Sequence, residues 1–326
     1  MAETLAAPAP EHSEHAERRT GLLFGIAAYG YWAVVFPLHL RWLNTSAGEL
    51  AADQPWWSLE ILGQRIGWSL VVCLALLTWL KRWGQLREAA RKPRVLGVLG
   101  ITSALVSLNW GVFIYAVATG QLYRASIGYF VTPLVSALLG VLFLGERPRA
   151  GQWAAFGVAG LGMAWLVVDA GQFPWIALIL ASSFGIYGLL RKRVDAGPIV
   201  GLTIETAALT PIAIGYLLVV SLIGGRPSGL VEGGPLTGVL LAATGLSTAL
   251  PLLWFAAAAK RLPLVTIGFL QFVAPTGQFL LSLSWDNRPE SGAWLGYVLI
   301  WVGVVVFAVE SGIAANRRKQ ARIAAE

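Results

Sequence analysis

Three ionisable side chains stand in stretches of chain that are otherwise apolar. Glu60 and Arg65 share one long hydrophobic run, and Glu205 lies in another with no basic residue within one helical turn. A charge inside a membrane bundle costs on the order of a few kcal/mol unless it is paired or wet, so each is a functional candidate. For Glu205 two readings stand side by side. It is a carboxylate that titrates a coupling proton or offers counter-charge to a substrate ammonium, or it is a tether between helices satisfied by a hydroxyl or backbone group. Glu60 and Gln64 share a helical face, and Arg65, about one turn beyond Glu60, is within reach of it along the helix. The favoured reading of that pair is a polar anchor between helices, because a guanidinium leaving water is best met by a fixed acid.

The uncharged chemistry is that of a binding site for organic solutes, which needs mostly apolar walls and a few polar hooks. Asn109 and Gln271 are the single amides placed to be hooks, and Tyr29, Tyr31, Trp32, Trp110, Tyr129, Tyr187 and Trp254 are the candidate walls. Trp56, Trp57, Trp79 and Trp83 fall near the ends of apolar runs, where an interfacial aromatic belt accounts for them. Catalytic chemistry has little to draw on. The single cysteine, Cys73, and the scattered His12, His15 and His39 make no metal cluster, no nucleophile stands beside a base, and no glycine-rich loop ends in Gly-Lys-Ser/Thr. Neither an intramembrane enzyme nor a machine driven directly by ATP is expected, and no cofactor.

These residues must be positioned by membrane helices. The 326-residue chain is 56% apolar and 13% charged, with a mean hydropathy of +0.67. At roughly 20 residues per span, ten apolar segments can be drawn, at 21–40, 58–80, 95–118, 124–144, 150–168, 174–190, 198–223, 235–258, 264–284 and 289–310. Residues 1–20 read as a disordered cytoplasmic tail, and 311–326 as a basic one. The net charge of +7 lies in short clusters between the segments, as in loops at an anionic membrane surface, so nucleic acid is not the expected partner. With the N-terminus inside, nineteen Lys and Arg residues fall in inner segments, including Arg191, Lys192 and Arg193. Only Arg41, Arg124, Arg226 and Arg288 fall outside. That asymmetry predicts two cytoplasmic termini.

The chain also repeats itself after about 140 residues. Ile127-Gly128 returns as Ile267-Gly268, Ala116, Ala118 and Leu122 return as Ala256, Ala258 and Leu262, and Tyr115 returns as Phe255. The polar break Gly145-Glu146-Arg147-Pro148 answers to Asp286-Asn287-Arg288-Pro289, and Trp153 to Trp294. A unit of five helices crosses an odd number of times, so its second copy enters the membrane inverted. The reading is an all-α integral membrane protein of ten transmembrane helices in two inverted five-helix repeats, 21–170 and 171–310. Pro133 and Pro275 fall near mid-bilayer in the fourth and ninth segments and are the candidate hinges. This predicts a secondary transporter of small amphipathic molecules working by alternating access, with a channel or a non-transporting scaffold as the alternatives. Protons are the candidate coupling ion, and the bilayer and a small-molecule substrate the expected partners.

The ordered motifs resemble the drug/metabolite transporter superfamily, in particular its EamA-type ten-helix members and within them the RarD proteins. The motifs are Glu60-Ile61-Leu62 with Arg65, Asn109-Trp110, Gly128-Tyr129-Phe130 with Pro133, and Gly145-Glu146-Arg147. They continue with Tyr187-Gly188-Leu189 before Arg191-Lys192, Ile204-Glu205-Thr206, and Gly268-Phe269 with Gln271 and Pro275. The likeness spans roughly residues 20–310. It implies a bacterial inner-membrane exporter of metabolites, amino acids or related compounds, or of drugs. It also implies a central cavity lined by the first, third, fourth, sixth, eighth and ninth helices. One departure is visible: the first repeat ends in Gly-Glu where the second has Asp286-Asn287.

Overall fold

The computed structural model describes residues 11–52, 56–118, 122–169, 171, 173–222, 228–284 and 292–323. Among these there is no strand, and every long apolar run is helical. A helix meets its own backbone hydrogen-bonding needs, as a chain in hydrocarbon must. In order the helices are α1 (Glu11–Gly30), α2 (Phe36–Ala47), α3 (Trp56–Trp79), α4 (Trp83–Ala90), α5 (Pro93–Ala118), α6 (Leu122–Leu144), α7 (Ala150–Asp169) and α8 (Trp175–Arg193). They continue with α9 (Pro198–Leu222), α10 (Gly229–Glu232), α11 (Gly234–Arg261), α12 (Leu264–Gln271), α13 (Val273–Ser284) and α14 (Ala293–Ile323). Nine described spans are long and apolar enough to cross a membrane, and α6 adds a shorter apolar stretch, Gly128–Leu144. The second polar break, Asp286 to Pro289, and residue 170 at the boundary of the two halves lie outside the described residues.

Charge marks one end of the bundle. Arg261 meets Glu17 at 2.7 Å, joining the end of α11 to the start of α1. Arg149 donates to Glu310 at 2.9 Å, joining the start of α7 to α14. Lys92, between α4 and α5, meets Glu88 at 2.8 Å and Asp195 at 3.1 Å, and these hydrogen bonds push its pKa up. Exposed pairs of this kind stabilise little, but they place these helix ends on one common face, here called the basic face. The long helices pack closely between that face and the far one. Where α7 runs along α14, a Cβ on Gly162 would stand 2.6 Å from the Gly296 carbonyl oxygen, so the contact depends on a residue without one.

Two of the predicted segments are not continuous helices. The first holds a π turn, Tyr31–Val35, between α1 and α2. Its cause is Pro37, which has no N–H to return to the Ala33 carbonyl. The Phe36 amide reaches back to Tyr31 instead, which releases the Trp32 carbonyl, and the Gln278 amide of α13 donates to it at 2.9 Å. The predicted ninth segment is interrupted at Phe272, between α12 and α13. Pro275 lies just beyond and leaves the Gln271 carbonyl without its ladder donor. The α13 helix packs on the π turn, so the two irregular stretches lie on neighbouring elements.

Candidate functional site

Arg65 lies nine residues into α3, roughly 13 Å from that helix's far-face end at ~1.5 Å per residue. Its Nε donates to Thr248 Oγ1 of α11 at 2.9 Å. The guanidinium carbon stands 4.9 Å from the Phe36 ring centroid and 5.2 Å from that of Trp110, with Tyr129 within electrostatic reach. The expected link from Arg65 to Glu60 is not made. Five residues turn a helix by about 140° past a full circle, so the two leave α3 on different sides. Glu60 Oε1 instead accepts from Ser228 Oγ at 2.8 Å and the Gly229 amide at 2.9 Å, where it caps α10. It lines a groove of 520 Å³ with Gln64 and Tyr216, and Arg65 is not among the residues that line it.

A chain of hydrogen bonds runs close to Arg65, with His39 within its electrostatic reach. Tyr31 Oη lies 2.8 Å from Ser247 Oγ, Ser247 Oγ lies 2.6 Å from His39 Nδ1, and His39 Nε2 lies 2.9 Å from the Leu240 carbonyl. A carbonyl only accepts, so Nε2 carries the hydrogen. In the neutral ring Nδ1 then accepts from Ser247, and Ser247 accepts from Tyr31. Sequence reasoning passed over Phe36, Ser247 and Thr248, and weighed His39 only as a metal ligand. Small hydroxyls in apolar helices are ordinarily spent on their own backbone, so only the arrival of a partner from another helix distinguishes these.

Toward the basic face from Arg65 lies a floor of aromatic rings. Phe255 lies within 5.2 to 6.4 Å, centroid to centroid, of Phe184, Tyr187, Tyr29 and Trp32. Trp254 meets Tyr31 edge to face at 6.1 Å. Ser136 donates to Gln271 Oε1 at 3.0 Å, and the buried Tyr29 hydroxyl lies beside Gln271. Asn109 is spent between α5 and α8, donating to the Leu180 carbonyl at 2.9 Å and Ser183 Oγ at 3.0 Å.

Beneath the aromatic floor lies Glu205. Thr102 donates to its Oε1 at 2.6 Å and the Tyr187 hydroxyl to its Oε2 at 3.3 Å. Arg191 Nη1 approaches Oε1 to 3.7 Å, with the two side chains 1% and 2% exposed. Arg191 thus departs from its expected place in an inner loop: it is the last turn of α8, turned inward. Its Nη2 donates to the Pro198 carbonyl at 3.1 Å. Only glycine fits at position 201, where a Cβ would stand 1.7 Å from Nη1.

Three comparisons bear on this arrangement. The EamA-like transporter family matches residues 19–168. The protein RarD of Streptomyces exfoliatus is 42% identical over 313 residues, covering 95% of this chain and 94% of that one. The uncharacterised transporter YojE of Bacillus subtilis is 39% identical, covering 90% and 95%. The chain belongs to the EamA-like transporter family. A solved crystal structure, 20% identical, superposes with a TM-score of 0.64 over 89% of this chain and 97% of that one, a likeness of fold. The chain is therefore a multi-pass membrane transporter of the drug/metabolite superfamily.

In this EamA-like transporter Pro133 lies inside an unbroken α6, whereas Pro275 accompanies the break between α12 and α13. The two helices touch where a Cβ on Gly268 would stand 2.6 Å from the Pro133 carbonyl oxygen. Among the described residues no group of three or more His, Cys, Asp or Glu is placed to hold a metal ion. The arrangement gathers a guanidinium, hydroxyls and aromatic faces around Arg65, the group types that recognise an organic solute. It can also hold a protonatable carboxylate, Glu205, on the other side of an aromatic barrier.

Proposed function

We propose that this transporter is an inner-membrane secondary carrier that exports small amphipathic organic solutes by alternating access. Ten spans form two inverted repeats, with both termini in the cytoplasm. The observation that carries this reading is the polar and aromatic cluster around Arg65, taken as the lining of a substrate recess, with an aromatic floor beneath it and a latch at the basic face. Lys192 Nζ donates to the carbonyls of Ala259 and Leu262, Lys260 to that of Val194 and Arg193 to that of Phe143. The Glu146 carboxylate accepts from the Leu264 and Val265 amides at 2.7 and 2.9 Å.

Support for inverted repeats comes from how the helices pair. The first copy takes α1 with α2, α3, α5, α6 and α7; the second takes α8, α9, α11, α12 with α13, and α14. Exchanging copies turns the packing of α1 on α11 into that of α8 on α5, and α3 on α11 into α9 on α5. It turns α6 on α8 into α13 on the α1–α2 turn, and leaves α3 on α9, α6 on α12 and α7 on α14 unchanged. Each of these packings is present. Within this reading Trp110 and Tyr129 bound the solute, and Tyr29, Trp32, Tyr187, Trp254, Asn109 and Gln271 form or brace the floor. Glu205 takes up the coupling proton, and Pro133 and Pro275 are the hinges. Proteoliposomes carrying the purified protein decide the class: a carrier saturates and shows counterflow of a labelled solute. Ohmic ion conduction, or no flux of any solute, would reject it.

A further inference from the structure

A guanidinium near mid-membrane depth with no acid beside it has a counter-charge missing. Among the described residues no carboxylate pairs with Arg65; its one hydrogen bond goes to the Thr248 hydroxyl. Two aromatic rings take its flanks. The contrast with Glu205 sharpens the point, because Glu205 stands 140 positions after Arg65 and so occupies the equivalent place in the second repeat. The protein gives Glu205 a cation from within, Arg191. Among the described residues it gives Arg65 no acid. Glu60 is engaged by Ser228 and Gly229, and Glu205 lies under the aromatic floor, so the recess also offers no anion to a substrate's ammonium.

We infer that Arg65 is the substrate-binding cation of the recess, and that the transported class is small aryl or alkyl carboxylates of net negative charge rather than zwitterionic amino acids, amines or neutral drugs. The planar fork of Arg65 takes the carboxylate, as a guanidinium does in bidentate pairing. Phe36, Trp110 and Tyr129 take the apolar body, and the Tyr31–Ser247–His39 chain supplies the polar wall. The inference rests on the carrier reading for transport, but not for binding.

The test is a thermal-shift titration of the purified full-length protein with phenylacetate, phenylacetamide, phenylalanine and phenethylamine, followed by counterflow of labelled phenylacetate. Phenylacetate should raise the melting temperature. Its neutral isostere phenylacetamide should need at least about tenfold more for the same shift, the scale of a lost charge-assisted hydrogen bond. Phenylalanine should be weaker than phenylacetate, and phenethylamine without effect. Arg65→Gln should abolish the preference for phenylacetate over the amide, and Arg65→Lys should keep part of it. If phenylacetamide matches phenylacetate on the unaltered protein, or no carboxylate binds, the inference is wrong; that comparison needs no variant and survives a failure of Arg65→Gln to fold. A preference retained in Arg65→Gln also overturns it. Binding through Arg65 without counterflow upholds the site and removes the carrier reading. Counterflow of neutral solutes with no carboxylate preference does the reverse.

Discussion

Glu205 and Arg191 are sealed from solvent, yet their closest approach is 3.7 Å and Arg191 Nε and Nη1 have no hydrogen-bond partner. Such a pair contributes little net stability while whole, because desolvation offsets the attraction, but breaking it strands a buried charge. Glu205→Gln and Arg191→Met should each lower stability by about 3–5 kcal/mol. The double variant should be more stable than either, read as chemical-denaturation midpoints in detergent. Additive losses would show that the two charges do not interact. Gly201→Ala gives a second reading of the same contact, since its methyl would occupy the space of Nη1. It should cost about 1–3 kcal/mol alone, and much less in the Arg191→Met background, where the obstruction is gone. None of this is legible along the chain. Arg191-Lys192-Arg193 closes an apolar run and reads as a loop cluster, and nothing local says that the first of the three turns inward while the others reach backbone carbonyls. Glu205 is legible as a buried charge; its partner is not, because α8 and α9 meet only in the folded bundle.

At the scale of elements, apolar runs and the repeat are readable because a membrane span needs a fixed length of hydrocarbon-compatible side chains. The irregularities within spans are not readable in the same way, since a proline announces a missing donor without saying how the helix answers. Pro37 is answered by a π turn whose freed Trp32 carbonyl takes the Gln278 amide. Gln278→Ala should cost about 1–3 kcal/mol by leaving that carbonyl unpaired. Pro37→Ala restores a donor to the first helix and should reduce that cost; a cost unchanged by Pro37→Ala would mean the turn has another cause. Pro133 and Pro275 look equivalent in sequence, but 140 residues beyond Pro133 stands Val273, two positions short of Pro275. The offset accompanies a real difference, an intact α6 against a broken α12–α13. As hinges on inverted helices, Pro133→Ala and Pro275→Ala should slow transport with ligand binding retained, and shift the open face in opposite directions. Pro275→Ala should have the larger effect, because a helix already interrupted has more to lose by healing. Shifts in the same direction would remove both prolines from the mechanism.

The ties that hold the helix ends together at the basic face set the last expectation. At the basic face Glu146, at the end of α6, caps the start of α12, where the free amides and the helix dipole both favour an anion. Lys192, at the end of α8, holds the carbonyls that close α11. Both contacts join helices that must part if the recess is to open toward this face. A latch lost at a cost of about 1–2 kcal/mol changes a two-state population by about 5–30-fold. Glu146→Gln and Lys192→Gln should therefore move the molecule toward opening at the basic face. The single cysteine, Cys73, is fully buried, so Cys73→Ala gives a background in which one introduced cysteine reports. Ala259→Cys, buried below the floor, should react faster with a membrane-impermeant maleimide applied from the basic face when either latch is removed. Ser247→Cys, beside the recess, should react more slowly from the far face in the same variants, because alternating access opens one side only as it closes the other. Faster reaction at both reporters would mean that the substitutions merely loosen the bundle, and Glu146 and Lys192 would then be packing contacts with no part in the gate.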